Sequence, residues 1–281
     1  MPEISGILES FRYLDKTFHI CERHECLSPA MNNTLIKGLR LLEVLAAQSG
    51  PVGIAELAAQ LQIARSNVHR LLQALVEMGY ASNVQGQYRT SIKVWELGAR
   101  ALSQLDFREA AGPAMRSLLA QSNETVHLSV LSGEEVVYID KLDSPEPVRA
   151  YSVIGGRAPA YCVATGKVLL AWREASAANS MAVRQLPAFT PATLADSADL
   201  ARELDRVRRQ GYAVNRGEWR ASVWGIAAPI FGPSGQVLAA IGISGPATRL
   251  RARGMRALSA QVVQAAAQAS GELARASQAS G

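Results

Sequence analysis

Three cysteines in 281 residues, Cys21, Cys26 and Cys162, are too few and too unevenly spaced for a disulfide framework, and they fit a reducing compartment. No uncharged apolar run approaches the roughly 18 to 20 residues that a membrane span requires, and no basic segment followed by an apolar core opens the chain. A membrane partner is therefore not expected, and the chain is read as cytoplasmic. Charged residues are sparse at 19%, against 48% hydrophobic, which argues for burial and against disorder. Paired catalytic carboxylates, a nucleophile elbow and a phosphate loop are missing, so neither a catalytic residue nor a cofactor is assigned. One stretch also lacks acid: between Glu56 and Glu77 there is no Asp or Glu.

What is present divides the chain. Its length exceeds the usual single-domain size, so two cores are expected. The formal charge is +5 with a pI near 9.3, a surplus compatible with a nucleic-acid partner. Residues 1 to 30 carry a net charge of −2, residues 31 to 105 carry +3 and the remainder +4. Residues 1 to 33 also lack a clean period, and residues 1 to 30 read as an extension that is not native, with the functional start at Met31.

From Leu35, apolar residues at Leu35, Leu39, Leu42 and Ala46 recur at helical spacing until Gly50-Pro51. Ile54, Leu57, Ala58 and Leu61 make a second stripe, and Val68, Leu71, Leu72 and Leu75 a third, with Gly79 as its stop. Tyr80 to Val84 and Gln87 to Thr90 flank a turn at Gly86, the signal of a hairpin. Residues 31 to 92 thus read as a winged helix-turn-helix, followed by a linker helix over 93 to 112. Gln62 stands where the inter-helix turn usually holds Gly or Asn, which predicts a left-handed backbone there. Beyond Gly112-Pro113, strands alternate with helices: Val126 to Leu131, Glu135 to Ile139, Val148 to Val153, Gly225 to Phe231 and Val237 to Ser244 as strands, Thr165 to Trp172 and Leu200 to Gln210 as helices. The fold class is α+β, with an antiparallel sheet in a domain over 113 to 270 and a flexible tail over 271 to 281.

A helix that enters a major groove buries one stripe against its own domain and presents donors outward, with no carboxylate facing the phosphates. Arg65, Ser66, Asn67, His69, Arg70 and Gln73 lie off the apolar stripe in the acid-free stretch. Ser66 and the helix start suit a phosphate, Asn67, Arg70 and Gln73 base edges, and Arg89 of the hairpin a further phosphate. A polar face alone equally describes a solvated surface helix; three helices, a tight turn and a hairpin in this order favour double-stranded DNA.

These residues, with Glu124-Thr125-Val126-His127-Leu128, Gly166-Lys167-Val168-Leu169-Leu170-Ala171, Gly211-Tyr212-Ala213 followed by Glu218, and Ser244-Gly245-Pro246 with Arg249-Leu250, resemble the IclR family of bacterial transcription regulators. The resemblance implies a GAF or profilin-like effector-binding domain, a small organic-acid effector, and a homodimer or dimer of dimers on a partly palindromic operator of a catabolic operon. Carried onto this chain, the effector positions are Ala164 and Thr165 at a helix start, then Asn215, Trp224, Gly225, Gly242 and Ser244. Asn215 stands where the family commonly has Asp, and Gly225 where Cys, Ser or Ala is usual. With Trp219, Trp224 and Tyr161 nearby, these departures point to an aromatic or otherwise larger carboxylic acid, the alternative being that the three rings are core or interface packing.

Other signals carry less. His19, Cys21, His24 and Cys26 crowd four potential zinc ligands into one segment, but their spacing does not suit a structural site, and no metal is assigned. Cys162 lacks a neighbouring base and reads as a small buried residue; His127, in an alternating strand, reads as structural. The runs Arg206, Arg208, Arg209 and Arg249, Arg251, Arg253, Arg256 read as solvated faces, except Arg249, which is assigned to a helix end or subunit contact. An enzyme or an oligomerisation scaffold fused to a DNA-binding domain is the alternative to an effector-responsive regulator.

Overall fold

The computed structural model describes residues 32–173 and 186–279, and the chain divides into two compact units at the 101/102 junction. The extension before Met31 and the four potential zinc ligands lie outside the described residues. The first unit contains α1 (Asn33–Ala46), β1 (Val52–Gly53), α2 (Ile54–Leu61), α3 (Arg65–Glu77), β2 (Ala81–Val84) and β3 (Gln87–Thr90), followed by most of α4 (Ile92–Ser103). Asn32 caps α1, its Oδ1 accepting the N–H groups of Thr34 and Leu35 at 3.1 Å. The α2 and α3 stripes pack inward through Leu57, Ala58, Val68 and Leu72, as their spacing predicts. The α1 stripe is different: Leu41, Val44 and Leu45 are buried, whereas Leu35 and Leu39 are more than half exposed. This helix is apolar on two faces, and spacing alone does not say which one meets the core.

Gln62 ends α2 in the left-handed region at φ 54°, as expected from its place in the turn. In the hairpin, Gln85 and Gly86 both take positive φ, the geometry that matches strand twist across a two-residue turn, and Asn83 Oδ1 accepts the Gly86 N–H at 2.9 Å. The two-residue β1 joins the edge of this hairpin, giving the order β1-β3-β2. It is too short to show a side-chain period.

The second unit contains α5 (Asp106–Ser122), β4 (Thr125–Ser132), β5 (Glu135–Leu142), β6 (Arg157–Pro159), a 3₁₀ turn (Ala160–Cys162), α6 (Ala164–Ala171), α7 (Ser197–Gln210), β7 (Ala213–Arg216), β8 (Val223–Phe231), β9 (Val237–Pro246), α8 (Ala247–Arg253) and α9 (Met255–Ala279). Its six strands run in the order β6-β5-β4-β9-β8-β7, with every neighbouring pair antiparallel. Period-two alternation gives the sheet two covered faces. Val126, Leu128, Ile226, Ala228, Ile241 and Ile243 point to α5 and α9. Tyr138, Ala227 and Ala240 point to the layer of α6 and α7.

Three expectations change. Residues 93–112, read as one linker helix, fall in α4 and α5, which are separate helices, and Pro113 lies inside α5. Residues 271–279, read as a tail, continue α9, because Leu273 is buried in the core. Val148 to Val153 forms no strand among the described residues.

Candidate functional site

The α3 start has no side-chain cap, since Ala64 occupies the N-cap, and the Asn67 and Val68 N–H groups donate to the Ala64 carbonyl at 2.9 and 3.1 Å. Arg65, Ser66, His69, Arg70 and Gln73 are exposed and Asn67 is half-buried. The Arg70 guanidinium donates to Asn67 Oδ1 at 3.4 Å, which places these two side chains on one outward patch. Arg89 is exposed on β3, its Nε donating to Ser82 Oγ across the hairpin at 3.4 Å. From Arg65 to Gln73 of α3, and at Arg89 of the hairpin, the outward polar side chains are therefore of five types, Arg, Ser, Asn, His and Gln, with no acid among them.

In the second unit a cavity lies between the sheet and the start of α6. Gly225 and Gly242, on adjacent strands, line it without contributing a side chain. A Cβ built on Gly225 would meet Ala164 Cβ at 3.9 Å, so even a small side chain there begins to close the space. Ala164, Thr165, Asn215, Gly225, Gly242 and Ser244 all line it, six of the seven positions carried over. Trp224 does not. Adjacent strand residues face opposite sides, so with Gly225 toward the cavity, Trp224 packs on the α5 and α9 side under the Arg251 guanidinium, 4.8 Å from its ring centroid. Tyr161 also lies away from the lining; its hydroxyl donates to the Pro187 carbonyl at 2.6 Å. Trp219 is a lining residue.

The start of α6 again lacks a side-chain cap. Asn215 Oδ1 accepts the Glu218 N–H at 2.9 Å, so the neutral amide shapes the turn as a carboxylate would, and its amide nitrogen adds a donor. Beneath this turn Lys167, fully buried, donates to Glu203 at 3.2 Å, to Glu218 at 2.8 Å and to the Val214 carbonyl at 2.5 Å. Burial holds the Glu218 carboxyl above the usual carboxylate range, with Lys167 pulling against that shift.

Several lining residues were not foreseen. His127 belongs to the wall: its Nε2 is 2.7 Å from Ser152 Oγ, its Nδ1 3.4 Å from Ser244 Oγ, and its ring lies tilted at 41° against Tyr138, 4.8 Å between centroids. Burial, reinforced by Lys141, lowers its pKa to about 4, so the ring is neutral at pH 7. Burial pushes Tyr138 up to about 12 against the opposing pull of Arg220, and its hydroxyl stays protonated. Register offers the missed signal: His127 pairs with Gly242, and Ser129, two residues along the same face, pairs with Tyr138. Arg220 stands at the rim with its guanidinium 4.6 Å from the Trp219 centroid.

Elsewhere, Arg249 makes a two-pronged pair with fully buried Glu124, both contacts at 2.6 Å, rather than closing a helix end. Arg253 donates to the Gln121 carbonyl at 2.9 Å and Arg251 covers Trp224, so this run is not simply a solvated face. Cys162 is buried and its thiol is pushed up to about 12, chiefly by burial, which leaves no thiolate for nucleophilic chemistry.

Comparison with known proteins places this geometry. The profile described as the IclR helix-turn-helix domain matches residues 34–84, and that of the bacterial transcriptional regulator IclR C-terminal domain matches residues 99–271. The HTH-type transcriptional regulator KdgR of Escherichia coli (strain K12) is 36% identical over 225 residues, 79% of this chain and 85% of its own. The HTH-type transcriptional repressor AllR of the same strain is 32% identical over 219 residues, 77% of this chain and 81% of its own. Among solved structures, an IclR homolog complexed with 4-hydroxybenzoate from Microbacterium hydrocarbonoxydans has a TM-score of 0.77 at 26% identity, covering 85% of this chain and 98% of that one. The Thermotoga maritima IclR has a TM-score of 0.72 at 28% identity, covering 86% and 99%. The chain belongs to the IclR family of bacterial transcriptional regulators, with a DNA-binding helix-turn-helix part followed by an effector-binding part.

Proposed function

We propose that this regulator controls a catabolic operon in response to a small carboxylic acid held in the cavity at the α6 start, and that α3 reads a partly palindromic operator. One observation carries the reading. The cavity wall contains no Asp or Glu, and it gathers an uncapped helix start, the Asn215 amide and the Arg220 guanidinium. Backbone N–H groups at a helix start favour a carboxylate. Trp219, Tyr138 and Tyr151 supply ring surface, which suits an aromatic acid, and the 4-hydroxybenzoate bound by the Microbacterium homolog is such an acid.

On the DNA side, Arg65, Ser66 and Arg89 take phosphates, and Asn67, His69, Arg70 and Gln73 face base edges. A palindromic site calls for two-fold symmetry in the protein. The homodimer, or dimer of dimers, is supported by the apolar residues that the first unit leaves uncovered: Leu35 and Leu39 on α1, and Ile92 and Trp95 on α4, the last two nearly 70% exposed. No helix among the described residues is long and apolar enough to cross a membrane.

The test is a panel of aromatic and aliphatic acids scored by thermal midpoint and by Trp fluorescence, with Trp219→Phe assigning the signal. A native-state ligand must raise the midpoint. A scaffold whose second unit only oligomerises shows no response to any acid, and an enzyme turns one over. Sedimentation of Trp95→Glu is expected to show a raised monomer fraction; an unchanged distribution removes α4 from the interface.

A further inference from the structure

The cavity holds two donor clusters, and a single carboxylate at the α6 start occupies only one. That first cluster comprises the uncapped turn at Ala164 and Thr165, with Asn215 and Ser244 on the facing strands. The second is Arg220 with Trp219, Tyr151 and Tyr138. Among the described residues no carboxylate pairs with Arg220; its guanidinium lies 4.6 Å from the Trp219 ring centroid and donates a long, 3.4 Å hydrogen bond to the Tyr151 carbonyl. Protein N–H···O bonds centre near 2.9 to 3.0 Å, so this one is weak and easily exchanged for a better acceptor.

The base of Arg220 is held firmly. Thr190 and Thr193 hydroxyls donate to the Gly217 and Glu218 carbonyls at 2.8 and 2.6 Å, the Glu218 N–H is bonded to Asn215, and the Glu218 carboxylate is bonded to Lys167. The guanidinium lies over the Trp219 ring, and its planar fork suits a second planar carboxylate. His127 and Tyr138 of the wall are uncharged donors or acceptors, and the lining holds no Asp or Glu, so no fixed negative charge in the wall opposes a dianion.

Resting on the carboxylate reading above, we propose that Arg220 receives a second carboxylate of the effector, so that the ligand class of this cavity is a small dicarboxylic acid. The first carboxylate sits at the α6 start and the second exchanges with the Tyr151 carbonyl on Arg220. Arg220 is then the residue that separates diacids from monoacids.

The test uses the full chain and matched pairs differing by one carboxylate, benzoate against isophthalate and terephthalate, and butyrate against glutarate, titrated by calorimetry. The unaltered protein is expected to bind at least one diacid about 10- to 100-fold more tightly than its monoacid partner. In Arg220→Gln that ratio is expected to fall close to one, and in Arg220→Lys, which keeps the charge but loses the fork, to an intermediate value. Near-ultraviolet dichroism checks that each variant is folded, and the Lys variant decides if the Gln variant is not. Monoacid binding without diacid preference, or a preference that survives both substitutions, overturns the role of Arg220 and leaves the carboxylate reading standing. Absence of binding by every acid in the panel overturns both.

Discussion

Lys167 is the largest side chain fully withdrawn from solvent, and its ammonium is matched by two carboxylates and a carbonyl. Glu203 has a second partner in Arg206, so removing Lys167 strands Glu218 above all. Lys167→Met is therefore expected to lose about 3 to 5 kcal/mol at pH 7.5, the cost of breaking one side of a buried pair. The sign of its pH dependence follows from Glu218, whose folded carboxyl already sits above the usual range. A group raised in the folded state is accommodated once protonated, so the difference from the unaltered protein is expected to shrink as pH falls; urea denaturation at pH 7.5 and 5.5 checks this, and a constant difference would remove Glu218 from the account. His127 acts in the opposite sense. Its pKa falls from 6.5 in the unfolded chain to about 4 in the folded one, so it contributes stability above 6.5 that is lost as pH drops through that window. The loss approaches about 3 kcal/mol, and His127→Gln should flatten the profile between pH 6.5 and 4. A profile of unchanged slope would show that His127 is not the group titrating.

At the scale of elements, the exposed flank of α3 makes the sharpest expectation. Arg70→Ala should weaken operator binding by roughly 1 to 3 kcal/mol while sparing much of the salt-sensitive affinity for random duplex; equal losses on both, in gel shifts at one salt concentration, would make Arg70 a phosphate contact instead. Helices α2, α3, α6 and α7 and the strands β2 to β5, β8 and β9 were legible because each has a period or a turn signal long enough to see. The misses have physical causes. Strands β1, β6 and β7 have four residues or fewer, and their membership in a sheet is decided by partners far away in sequence. The stretch Val148 to Val153 has strand-like composition, but its carbonyls at Val148, Tyr151 and Ser152 are taken by the long side chains of Arg249, Arg220 and Lys141, so it needs no ladder. The cavity was legible at Gly225, Gly242 and Ser244 through the family resemblance. Trp224 faces away from it because it is the strand neighbour of Gly225, and Arg220 carries no sequence signal because its place in the lining is set by a turn that a distant lysine holds.

For the whole molecule, the proposed regulation is a coupling free energy between the DNA-binding unit and an effector held in the cavity of the other unit. An acid that bound two arrangements of the protein equally would shift nothing, however tightly it bound. An acid that works as an effector should change operator affinity by about 5- to 150-fold, the range of 1 to 3 kcal/mol typical of such coupling. Linkage then fixes a second measurement: saturating operator must change the affinity for the acid by the same factor and in the same direction. Both titrations have to be run at one salt concentration, because the net charge of +5 gives the protein a salt-sensitive attraction to any duplex that would otherwise distort one arm. Equal factors show that cavity and α3 bias one shared equilibrium. An operator affinity that moves while the acid's affinity stays fixed would mean that the acid acts on the DNA or on the assembly of chains, and not through the cavity.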